Sequence, residues 1–149
     1  MRPSIALAPG AENNGFATML ADLVRQNLDA KPHKVKDFDA LTGTIAIVAD
    51  DADVAVTLVF DAGRLVVHDG IVGVPEVTIR GTADVIMAMS NIPLTTPLGL
   101  PFARARDRQG KQTMREIAAA MRTGAFHAYG MALHLPMMLR LTRVMSVNG

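Results

Sequence analysis

The sequence has no cysteine and no tryptophan, and only six aromatic residues: Phe16, Phe38, Phe60, Phe102, Phe126 and Tyr129. Without thiols there can be no disulfide, no thiolate nucleophile and no Cys-ligated zinc, a composition that suits a reducing compartment. No apolar run approaches the roughly 18 residues that cross a bilayer, and the apolar stretch in the N-terminal "MRPSIALAPGAENNG" is too short for a secretory signal. A cytoplasmic, soluble protein is therefore expected. Nucleic acid is not an expected partner either. Residues 76–149 carry 9 basic and 4 acidic side chains against 6 and 10 in residues 1–75, but no aromatic residues alternate with that charge to stack on bases.

Residues able to do chemistry are scattered. His33, His68, His127 and His134 show no pair at the helical spacing of a zinc site, and no metal is expected. The acidic run Asp50, Asp51, Asp53 lacks the glycine and distant glutamate of a calcium loop, so it reads as a solvated turn. Ser4, Ser90 and Ser146 have no nucleophile-elbow surroundings, and no glycine pattern matches a phosphate loop. No catalytic residue and no cofactor is expected; His127 and Tyr129, two apart, are the one pair an acid–base enzyme could use.

What the chain has in excess is flexible apolar side chain: ten Met within 50% hydrophobic residues. Thioethers fill irregular spaces and adapt to varied apolar partners. At 149 residues one domain can bury about 70% of the surface its unfolded chain exposes. The first dozen residues are expected to be a flexible segment, and 13–149 one domain. Phe16, Met19, Leu20, Leu23, Val24 and Leu28 predict a helix to about Ala30, capped by Asn13 or Asn14. "AKPHKVKDF" reads as a polar connection. "TGTIAIVAD", "VAVTLVF", "RLVVHDG" and "EVTIRG" read as strands, the middle two joined by "DAG" with Gly63 in the turn.

Thr82 can cap a helix over "ADVIMAMSNI". Pro93, Pro97 and Pro101 then break the chain from Asn91 to Gly110 into a long loop. Its Leu94, Leu98, Leu100 and Phe102 precede Arg104, Arg106, Arg108 and Lys111, which reads either as a hydrophobic lid with a basic rim facing an anionic membrane or as a loop tucked beside a solvated charge run. "KQTMREIAAAMRTG" predicts another helix ended by Gly124, "AFHAYG" a short strand, and the segment from Pro136 onward a helix apolar on most sides.

The order of these signals resembles the sterol carrier protein type 2 lipid-transfer family over roughly residues 13–147. The hairpin "VTLVFDAGRLVV", Val77–Thr78–Ile79 leading into Asp84–Val85–Ile86, and "RTGAFHAYG" with Gly124 and Gly130 carry the likeness. The resemblance implies an α+β fold, a five-stranded, mainly antiparallel sheet covered by helices and enclosing an apolar tunnel for a sterol, fatty acyl chain, phospholipid or isoprenoid. It implies no catalytic residues. Bacterial relatives include lipid-binding accessory proteins of ubiquinone synthesis.

The leading expectation is a non-enzymatic lipid carrier. Its ligand-binding residues are expected to be Leu58, Phe60, Met89, Ile92, Leu98, Phe102, Met121, Met131, Leu135, Met138 and Leu139, with Arg104, Arg106 and Arg108 at a phospholipid head-group surface. Expected partners are a lipid and, transiently, an anionic membrane or a lipid-using enzyme. Two other readings stand beside it: an interaction or homodimerisation module using the apolar C-terminal helix, and a small enzyme acting on a lipid-like substrate through His127 or Tyr129.

Overall fold

The computed structural model describes residues 3–92, 94 and 106–148. Strand β1 (Ser4–Leu7) leads to helix α1 (Gly15–Ala30), a short helix α2 (Val35–Ala40), and the strands β2 (Thr42–Ala49), β3 (Val54–Asp61), β4 (Arg64–Asp69) and β5 (Val77–Gly81). Helices α3 (Ala83–Met89) and α4 (Arg108–Thr123), strand β6 (Phe126–Tyr129) and helix α5 (Leu135–Met145) complete the chain.

The strands form one sheet of order β1-β4-β3-β2-β5-β6. The β2–β3–β4 meander is antiparallel, β5 pairs parallel with β2, and β6 closes the far edge antiparallel to β5. The α+β class and the mainly antiparallel pairing match expectation, but there are six strands rather than five. The sixth is β1, which pairs parallel with β4 in residues expected to be loosely ordered. Ile5 and Leu7 of β1 pack against the core while Ser4 and Ala6 face out, an alternation short enough to pass unnoticed in sequence.

Period-two alternation puts Val56, Leu58 and Phe60 of β3 opposite Ile47, Ile45 and Gly43 of β2, all on one sheet face. Val67 and Leu65 of β4 and Val77 and Ile79 of β5 extend that face, and every one of these side chains except that of glycine is buried. Leu20, Val24 and Leu28 of α1 and Met138, Leu141 and Val144 of α5 join the same core. A stripe at three- and four-residue spacing turns one side of each helix onto the sheet.

Caps fall where side-chain chemistry puts them. The Asn14 amide oxygen accepts from Phe16 N and Ala17 N, and Thr82 Oγ1 accepts from Val85 N. The acidic run is spent locally: Asp50 binds Arg80 at 2.6 Å, and Asp51 accepts from Ala83 N at the start of α3.

Residues 30–38, expected to be a polar connection, run into α2. Its Phe38 is fully buried and meets Phe60 edge-on at 6.1 Å. Six residues give too short a window for periodicity to register.

Candidate functional site

The helix-covered side of the sheet holds an apolar chamber of about 20 Å³. Leu20 and Leu23 enter it from α1, Ile47 from β2, Ile86, Met87 and Met89 from α3, and Leu141 and Met145 from α5; Ser90 is its one polar residue. Each side chain arrives there because its element turns the same stripe inward that builds the core. A volume of this size holds about one water molecule. Three of the nine lining residues are methionines, however, and Met87 is 42% exposed, so the wall is soft on its solvent side.

A larger concavity of about 530 Å³ lies between β1 and α1, lined by Pro3, Ile5, Arg25, Leu28 and Asp29. It is an open surface groove. Arg25 spans part of it, donating to Ile5 O at 2.9 Å and pairing with Asp22, which occupies a main-chain acceptor of the edge strand. Size alone favours the groove; enclosure and apolar lining favour the chamber.

Hydrogen bonds tie the C-terminal segment to the residues that follow α3, beginning at the chamber residue Ser90. Val147 N donates to Ser90 O at 2.8 Å, Ser146 Oγ donates to Ile92 O, and Asn148 Nδ2 donates to Asn91 O. On the other side Asn27 Nδ2 donates to Val144 O and Met145 O, and Lys34 Nζ donates to Ser146 O and to Asn148 O. These donors satisfy carbonyls that the end of α5 leaves without helical partners. Lys34 is only 2% exposed. Burial and the nearby Lys31 cation pull its pKa down to about 8, while Asp37 pulls the other way.

Of the expected ligand-binding residues, Met89 lines the chamber. Leu58, Phe60, Ile92 and Met138 are buried but do not line it, and Met131 and Leu139 are half-buried. Met121 and Leu135 are at the surface, 47% and 52% exposed. Leu98, Phe102 and Arg104 lie outside the described residues; Arg106 and Arg108 are exposed.

His127 and Tyr129 do share a strand face and stack at 5.6 Å, but Phe126 and Ala128 take the core side, so the stacked pair faces away from the chamber. Sequence reasoning missed Leu20, Leu23, Ile47, Met87, Ser90, Leu141 and Met145 as lining residues, and Lys34 altogether. A lysine in a polar stretch carries no signal of burial.

No protein-family model and no curated protein matches the chain. Among solved structures it superposes on UbiJ-SCP2, a ubiquinone synthesis protein, with TM-score 0.57 and 15% identity over 88% of this chain and 96% of that one. The chain has the SCP2 fold. A sterol carrier protein 2 crystal structure gives TM-score 0.49 and 14% identity over 87% of this chain and 92% of that one, too distant to add weight. Within the SCP2 fold, β1 is placed as an edge strand beside β4, and the chamber lies between the sheet and α1, α3 and α5.

Proposed function

We propose that the protein is a non-enzymatic lipid carrier, holding a sterol, fatty acyl, phospholipid or isoprenoid ligand in an expanded form of the chamber. The observation that carries this reading is a core chamber in an SCP2 fold lined by eight apolar residues and one serine, three of them methionines able to re-pack. About 400 Å² of apolar ligand surface buried there would gain on the order of 10 kcal/mol gross, much of it offset by ordering and association costs. That surplus suffices for affinity without any reaction. The outward placement of His127 and Tyr129 supports carriage over catalysis, because neither reaches the chamber. The ubiquinone synthesis role in the name of UbiJ-SCP2 supports an isoprenoid as one cargo.

The carrier reading predicts extractable lipid. Native mass spectrometry of gently purified protein should show a mass above that of the bare chain, lost on organic extraction.

A further inference from the structure

The sheet has a second face, which the carrier reading does not use. Helices α1 to α5 all send buried side chains into the core on the other face, and no helix covers this one among the described residues. Strand registers lay its side chains out in rows. In one row Ala6 of β1 is opposite Val66 of β4, Val66 is opposite Val59 of β3, and Val59 is opposite Thr44 of β2. The next row includes Thr57 and Ala46, which face each other across β3 and β2 and are fully buried.

Thr57 lies under the link between β4 and β5, residues 70–76. Its hydroxyl donates to Gly70 O and accepts from Val72 N, and at the far end of the link Glu76 N donates to Thr44 O. The link is therefore a ridge lying across the outer face of the sheet. Its apolar side chains are turned to solvent, with Ile71 57%, Val72 43% and Val74 91% exposed. Beside the ridge the first row forms a shallow apolar hollow, in which Val59 and Val66 are half-buried and Ala6 is exposed.

An antiparallel sheet with one solvated face usually alternates apolar with polar residues, whereas strands covered on both faces read as continuous apolar runs. "TIAIVA" in β2 and "VAVTLVF" in β3 are of the second kind. Neither the ridge residues 70–75 nor the hollow carries a charged side chain. Anionic membranes and nucleic acid are held through cations, so this face suits neither and fits a protein face as uncharged as itself. Its own copy also matches it in shape. A two-fold axis parallel to the rows, lying between the first and the second, sets each ridge over the other's hollow. With strands about 4.8 Å apart and rows about 6.7 Å apart, three rows across five strands span roughly 500 Å². Two copies then bury about 1,000 Å², the lower bound for a specific interface.

We propose that the protein forms a weak homodimer through this face, sheet against sheet, with ridge and hollow interlocked. The helices and both chambers then face outward, so the dimer stands or falls independently of the carrier reading.

Sedimentation velocity of the full chain from about 1 to 300 µM should show monomer passing into dimer with a Kd on the order of tens of micromolar. Sodium sulfate should tighten the association, because the contacts are apolar. Val74→Lys alters a side chain that is 91% exposed in the single chain, so it should leave the unfolding midpoint unchanged. Set against the partner's hollow, the ammonium should raise Kd about tenfold or more. Leu135→Lys, on α5 and 52% exposed, should leave Kd as it is. A chain that stays monomeric across the range would overturn the proposal. Association that Leu135→Lys abolishes and Val74→Lys leaves intact would also overturn it and assign the interface to α5. So would binding of a monomeric chain to phosphatidylcholine vesicles that Val74→Lys removes, which would assign the face to a lipid surface.

Discussion

Replacing Lys34 with methionine should remove a specific dependence of stability on pH. The Lys34 side chain is almost wholly enclosed, and its pKa lies at about 8 against 10.5 for the free amine, with burial as the leading cause. Below pH 8 the amine is protonated in the folded and the unfolded chain alike, so the cost of enclosing the charge is felt in full. Between about 8 and 10.5 the unfolded chain holds a proton that the folded chain has released, and stability rises with pH. At roughly 1.4 kcal/mol per unit of pKa, the rise is at most about 3 kcal/mol. Urea unfolding followed by far-UV circular dichroism suits a chain without tryptophan. All other ionisable side chains are common to both proteins, so the difference between wild type and Lys34→Met isolates the one group. That difference should shift progressively in favour of wild type from pH 7.5 to 10.5. A constant difference across that range would refute the argument that burial governs this amine.

Two further perturbations test how the fold is built. At Gly130, with φ of 81°, an added Cβ would lie 2.2 Å from the Glu76 carbonyl oxygen. At Gly124, with the same φ, the nearest atom is His127 Nε2 at 3.7 Å. Gly124→Ala should cost about 1–2 kcal/mol for left-handed backbone. Gly130→Ala should cost at least twice as much, because a main-chain oxygen cannot swing aside; equal midpoints in urea would contradict this. Thr57, fully buried, donates to Gly70 O at 2.7 Å and accepts from Val72 N at 3.0 Å, fastening the loop that exposes Ile71, Val72 and Val74. Thr57→Val should lose about 1–2 kcal/mol and make residues 70–74 more susceptible to limited proteolysis; an unchanged cleavage rate would show that other contacts fasten the loop.

Much of the fold was legible because local signals were strong. Alternation in "VAVTLVF", the positive φ that Gly63 supplies to the hairpin, the Asn14 and Thr82 caps and the Gly124 stop all report in the chain what the backbone does. What escaped depends on contacts distant in sequence. β1 is a strand because β4 lies beside it, and α2 holds because Phe38 reaches Phe60. The site was harder still. Met89 and Met121 are both apolar residues on helical stripes, yet one lines the chamber and the other meets solvent, which depends on how each helix is set against the sheet. Lys34 is decided by carbonyls more than a hundred residues away.

The central claim is that the interior accepts a lipid, although as described it is filled to about 20 Å³. Native mass spectrometry of protein purified without detergent weighs chain and cargo together. The account predicts a near-stoichiometric adduct of lipid mass that organic extraction removes and added lipid restores. A bare chain mass before extraction, unchanged after incubation with fatty acid, sterol and isoprenoid, would contradict it.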